Sequence, residues 1–185
     1  MDLFPRVAQR GMAMASDYLQ YTPWASIAQG GRPPGRFYFY AASAQFDRIS
    51  LSVGDTVWHV SLRPLRADGR LPGALVLCGR LLVHYVTEDE GEARRRIGHY
   101  VEGYPPRPDS YHAFAREGAE ELYAEIAIDD LASELRFLSK HDRLALEDGH
   151  VQPQQLQAMR RLTPESAALL RARWETHRES RVGLR

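Results

Sequence analysis

Aromatic side chains are the residues whose types and placing most invite a chemical role. Tyr21, Trp24, Tyr38, Tyr40 and Trp58 all fall in the first third of the chain. Tyrosine and tryptophan combine a flat face for stacking with a polar atom for hydrogen bonding. A nucleobase held in a concave pocket needs that combination. Stacking one base on an aromatic ring is worth about 1–3 kcal/mol, and small polar groups on the pocket floor can then read the base edge. Ser43 and Ser61 stand at the ends of the two aromatic strands expected here and are the candidates for that floor. Trp24, Trp58 and one of Tyr21 or Tyr38 would sandwich a base flipped out of its stack. Arg32, Arg36 and Arg136 would hold the flanking phosphates. The same residues admit a plainer reading, in which Trp58 is core and the tyrosines cover its rim.

Patterns that carry catalysis are sparse. The chain has no Gly-rich, Lys-ended phosphate loop, no dinucleotide fingerprint and no nucleophile elbow. Its histidines (His59, His84, His99, His112, His141, His150 and His177) are scattered, and no two stand at helical metal-binding spacing beside a glutamate. Three fragments come nearest. His141-Asp142 has the types for one edge of an acid/base site, or is a surface loop. Glu117 with Glu120-Glu121 offers oxygen donors to a hard cation, or is an acidic solvated segment. Asp129-Asp130 suits a helix cap. A metal-assisted hydrolase or nuclease would need the fold to gather His141, Asp142 and the acidic middle. Cys78 is the single cysteine, which excludes an internal disulfide and a Cys-rich zinc site. In the apolar run 74–79 it reads as a quiet core thiol. No cofactor is expected.

The elements that must position these residues form an α+β pattern. Residues 1–35 read as a loop-rich segment, with a short helix between Arg6 and Tyr18 and a loop forced by Gly30, Gly31, Pro33, Pro34 and Gly35. Strands are expected over 37–42, 56–62, 75–86 and 122–128. Gly54-Asp55 and Asp68-Gly69 mark turns, and Gly79 inside the third run suggests a bulge. On the second strand, Thr56, Trp58 and Val60 share a face opposite Val57, His59 and Ser61. Thr87 with Glu90 predicts a capped helix ending near Gly98. Residues 103–109 form a Pro-rich loop, and 153–159 a short helix. Thr163-Pro164-Glu165 predicts the start of a C-terminal helix over about 164–178. Its Ala167, Leu170 and Trp174 make an apolar stripe, and the chain frays from His177.

Composition bounds the rest. The 185 residues, 44% hydrophobic and 26% charged, suit one domain, 1–185, with its own core. No apolar run is long enough to cross a bilayer and no secretory segment follows the first residue, so a cytoplasmic location without membrane contact is expected. The formal net charge is +0, which argues against nucleic-acid binding by bulk electrostatics alone. The distribution is uneven. Residues 1–87 carry 9 basic and 5 acidic groups, 88–150 carry 8 and 16, and 151–185 carry 7 and 3. A basic face can therefore stand beside an acidic one. Two solvated surfaces of unlike sign satisfy the same numbers.

Val53-Gly54-Asp55-Thr56-Val57-Trp58, followed by a β run, resembles the early strands of the EVE-like group in the PUA-like superfamily. The later stretch adds Leu135-Arg136-Phe137-Leu138, Asp142-Arg143-Leu144, Gln154-Gln155-Leu156-Gln157 and Arg160-Arg161-Leu162-Thr163, then a helix with Leu170 and Trp174. The resemblance covers about residues 36–175. It implies a PUA-like twisted mixed β pseudo-barrel flanked by helices, with an aromatic pocket for a modified base in DNA or RNA. It also implies partners such as a fused nuclease, or a role in RNA modification. On it, Asp55 is a structural turn acid, Trp58 lies on or beneath the pocket wall, and Ser43 is a small polar pocket residue. Trp24 has no counterpart, and the segment 1–35 departs from relatives that begin almost directly with an aromatic strand. The function expected is a nucleic-acid binding module that recognises a modified base. The alternatives are a protein-interaction or small-ligand module and the metal-assisted hydrolase.

Overall fold

The structure, a computed structural model, describes residues 15–25, 40–65, 73–98, 108, 110–116 and 124–182. Strand formation is strongest where β-branched and aromatic residues run together. β3 (Thr56–Pro64) is such a run and pairs antiparallel with β4 (Gly73–Leu82). β1 (Asp17–Tyr21) lies parallel to β3, and β10 (Arg160–Arg161) pairs antiparallel with β1. On the other edge β7 (Ile126–Ala127) pairs with β4, giving the order β10-β1-β3-β4-β7. A second sheet, β2-β6-β5, is built from Tyr40–Ser43, Tyr111–Phe114 and Tyr85–Thr87. A small hairpin joins β8 (Leu146–Glu147) to β9 (His150–Val151).

Every residue of β3 from Thr56 to Leu62 is buried because both faces of the five-stranded sheet are covered. Trp58, Val60 and Leu62 enter one core with Leu75, Leu77, Leu170 and Trp174. Val57 enters a second core with Phe46, Leu81, Ile97 and Phe114, which lies between the two sheets. α1 (Gln45–Arg48) contributes Phe46, and α2 (Glu90–Gly98) contributes Ala93 and Ile97. α3 (Pro164–Val182) lays Ala167, Leu170 and Trp174 on the first core, as the spacing predicts. Two short 3₁₀ turns, Asp129–Leu131 and Pro153–Leu156, link these pieces.

Asp55 shows how the turn before β3 is held. Gly54 takes φ +95°, a region open to glycine at no steric cost. The buried Asp55 carboxylate then accepts the Ser16 amide at 2.8 Å, the Ser52 amide at 2.9 Å and the Ser52 hydroxyl at 3.2 Å. That is the structural task expected of it.

Several expectations need correction. The sheets are open, so the fold is α+β but not a pseudo-barrel. Closure requires every edge strand to find a ladder partner. Here the five-stranded sheet ends in two-residue strands, and the second sheet packs against it by side chains. The run 75–86 is two strands in different sheets. Val83 donates to Asp55 and His84 to Phe114, so the chain crosses between layers at that point. The bulge expected near Gly79 is present: His59 pairs with Gly79 and Val60 with Leu77, leaving Cys78 as the extra residue. The segment 1–35, expected to be irregular, holds strand β1. The cap of α2 is Asp89, whose carboxylate accepts the Glu92 amide at 2.7 Å, and not Thr87. Residues 153–159 yield only the 3₁₀ turn. Helix α3 runs past His177 to Val182. The turn at Asp68-Gly69, the early helix from Arg6 and nearly all of the Pro-rich loop lie outside the described residues. No helix among those described is long and apolar enough to cross a membrane.

Candidate functional site

The β1–β10 pairing sets Tyr18 opposite Arg161 and Leu19 opposite Arg160. It brings two adjacent arginines from the distal part of the sequence onto the edge of the main sheet. A tight loop stands beside them. The Phe137 amide donates to the Asp142 carbonyl at 2.9 Å, and the Ser139 hydroxyl to the His141 carbonyl at 2.9 Å. Lys140 and His141 are thus held, exposed, at the tip. Leu138 is anchored by its amide, which donates to the Arg161 carbonyl at 2.9 Å.

Between this loop, β1 and the turn at Pro153–Leu156 lies a cleft of about 680 Å³. Its apolar lining comes from Tyr18, Ile49, Leu138, Ala158 and Met159. Its polar lining is Ser139, Lys140, His141, Gln154, Gln155, Arg160 and Arg161. No carboxylate stands among these described lining residues. The Tyr18 phenol is raised above its ordinary pKa, first by burial and then by Asp55, so it stays protonated and donates to the Ile49 carbonyl at 3.4 Å. Gln45 ties the floor together. Its side chain accepts from the Met159 amide at 2.5 Å and donates to the Gln157 carbonyl at 3.1 Å.

Arg160 is partly spent on structure. Its guanidinium lies 3.7 Å from the Phe137 ring centroid and donates to the carbonyls of His141 and Arg143. Burial lowers its pKa, with Asp142 opposing, but an arginine remains charged at any ordinary pH. Arg161 is exposed and Lys140 is the only lysine in the chain.

A second cleft of about 410 Å³ shares Leu138 and Arg161 with the first. Ser16, Asp17, Thr163, Pro164 and Arg171 are among its other lining residues. The Asp17 carboxylate accepts the Trp58 indole N–H at 2.8 Å and lies 3.5 Å from the Arg171 guanidinium.

No protein-family model and no curated protein matches this chain. The site therefore stands on its geometry, and the residues expected from sequence fall as follows. Trp58 has no exposed surface: it packs edge-on against Trp174 with centroids 6.2 Å apart. An enclosed indole cannot stack on a ligand unless the core opens, so its placement is the core reading. Ser61 is also fully enclosed, and its hydroxyl donates to the Thr22 carbonyl at 2.7 Å. Tyr21 is half-buried against the first core, and Trp24 is half-buried just beyond β1. Ser43 lies in the second sheet, where its hydroxyl accepts the Gln45 amide at 3.1 Å, one step behind the cleft floor. The described members of the expected pocket are thus divided between two sheets. Tyr38, Arg32 and Arg36 lie outside the described residues. Arg136 donates to the carbonyls of Ser133 and Leu135 and lines neither cleft.

Among the described residues the catalytic fragments do not gather. Asp129 accepts the Leu75 amide at 2.8 Å, and Asp130 pairs with Arg173. Both are ties between elements. Glu117, Glu120 and Glu121 lie outside the described residues. Among the described residues no group of three His, Cys, Asp or Glu side chains could hold a metal. Burial, with a smaller push from Glu125, raises the Cys78 thiol to about 12, as fits a core position.

Sequence reading missed Tyr18, Lys140, Arg160 and Arg161 as a unit. The segments that carry the EVE-like resemblance, Leu135–Leu138, Gln154–Gln157 and Arg160–Thr163, were the available signal. Of these segments, Leu138, Gln154, Gln155 and the run Arg160–Thr163 line the clefts.

Proposed function

We propose that this protein binds nucleic acid through the basic cleft beside β10. The observation that carries the reading is a cleft of about 680 Å³ in which Lys140, His141, Arg160 and Arg161 meet an apolar floor, with no carboxylate among the described lining residues. In a chain of zero net charge, the local excess of cations from Lys140, Arg160 and Arg161 is a recognition feature and not a consequence of bulk charge. Lys140 and Arg161 hold phosphates, the positions that contribute affinity without sequence information. Gln154 and Gln155 each offer a donor and an acceptor, the pair needed to test the edge of a base. Met159, Ile49 and Leu138 supply apolar surface for its face. Arg160 acts behind them by fixing the loop that carries Lys140.

A modified base remains the finer expectation. Its support is the EVE-like resemblance, whose distal motifs include Gln154, Gln155, Arg160 and Arg161. The aromatic sandwich on Trp58 does not belong to this proposal, because that ring is enclosed.

Fluorescence anisotropy with labelled DNA and RNA oligonucleotides, with and without modified bases, tests the reading. Binding should persist at physiological salt. Lys140→Ala and Arg161→Ala should each weaken it, and each should reduce the slope of log affinity against log salt by about 0.7. Both side chains are exposed, so the variants keep the fold. Absence of binding across the panel, or affinity indifferent to both substitutions, would overturn the proposal.

A further inference from the structure

We infer that the ligand of this site is a single strand several nucleotides long, threaded across Leu138 from the larger cleft into the smaller. The inference rests on the nucleic-acid reading and goes beyond it by excluding a free nucleotide and a duplex. The two clefts are neighbours, since Leu138 and Arg161 line both. A small ligand is served by one cleft of some 300–1,000 Å³. The larger cleft alone, at about 680 Å³, meets that need. The second, at about 410 Å³, extends the same surface past the shared arginine.

The ridge between them has the character that a strand requires. Leu138 is 55% exposed, and its backbone is held by the bond from its amide to the Arg161 carbonyl. Cations stand on either side: Lys140 in the first cleft, Arg161 at the junction, and Arg171 in the second. Asp17 is the acid described in this track. Its carboxylate accepts the Trp58 indole N–H and is ion-paired with Arg171, whose side chain remains 49% exposed. An apolar knob between phosphate-binding side chains matches the alternation of base and phosphate in an unpaired strand. In a duplex the base faces are stacked inside and cannot meet it.

The test is a length series read by competition anisotropy at physiological salt. The competitors are thymidine and uridine monophosphates, the corresponding trimers, hexamers and dodecamers, and a dodecamer duplex. Affinity should rise at least about tenfold from monophosphate to hexamer, as added bases stack, and then level off. The hexamer should outcompete the duplex. Arg171→Gln should weaken the hexamer by about fivefold, through loss of one phosphate contact, and leave the trimer unchanged. Leu138→Ser, at an exposed position that lines both clefts, should weaken the trimer and the hexamer alike. Equal affinity for monophosphate and hexamer, preference for the duplex, or a hexamer indifferent to both variants would each overturn the inference while leaving nucleic-acid binding in place. Failure of every probe to bind would overturn the underlying reading as well.

Discussion

A histidine on a strand covered from both sides has no water to share its charge with. His59 lies in β3, 2% exposed, and burial lowers its pKa from the ordinary 6.5 to about 3. The folded state therefore keeps it neutral while the unfolded chain takes up a proton below 6.5. Between those values the unfolded state binds more protons, so stability is fully present above pH 6.5 and is lost as the pH falls towards 3. His112, lowered mainly by burial, acts in the same direction. Urea unfolding at pH 7 and pH 5 should show a loss of roughly 2 kcal/mol from His59. A His59→Asn variant should show a shallower dependence. Equal stability of the parent protein at the two pH values would contradict this account of the core. At this scale sequence reading placed the Gly54-Asp55 turn correctly, because that pair before a strand is a common turn signal. It left Trp58 open between core and pocket, because an aromatic residue on a strand has the same signature in both. Only the covering of both sheet faces, by α3 and by the second sheet, separates them.

Elements with their own local signals were legible. α3 announces itself by Thr163, Pro164 and a regular apolar stripe, and the Thr163 hydroxyl accepts the Ser166 amide at 3.3 Å. α2 was placed correctly but its cap was not. Thr87 and Asp89 are both cap-forming types two residues apart, and Thr87 instead accepts the Asp89 amide at 3.1 Å. Asp89→Ala should therefore cost about 1 kcal/mol, and Thr87→Ala less, as read by denaturant unfolding. A larger loss from Thr87→Ala would return the cap to that residue. β1 was missed because Tyr18 and Leu19 serve different cores, so the strand lacks the alternation that marks a half-buried one. The β8–β9 hairpin was missed although its signal was present. Asp148 and Gly149 take φ 49° and 80°, the positive pair that a tight two-residue turn demands. That hairpin lies within the segment that returns the chain to the cleft.

At the scale of the whole molecule, pairing between distant segments decided what sequence could not. The site joins β1 to residues 138–161, and nothing local marks Arg160–Arg161 as the strand that completes the sheet beside Tyr18. Their two-residue length also leaves the sheet open where a barrel was expected. The uneven charge does not map simply onto the cleft, since Lys140 and His141 come from the acidic stretch 88–150. The C-terminal portion, with 7 basic and 3 acidic groups, supplies Arg160, Arg161 and Arg171. The acidic middle supplies Asp129 and Asp130 as ties to β4 and α3. The most direct test of the central claim uses Lys140, the chain's single lysine, which lines the cleft. Its acylation by an amine-reactive reagent can be followed by peptide mass spectrometry with and without a saturating oligonucleotide. A phosphate held by this ammonium group should slow the labelling about tenfold while leaving that of the terminal amine unchanged. Unchanged labelling of Lys140 under saturating, anisotropy-verified binding would contradict the placement of nucleic acid in this cleft.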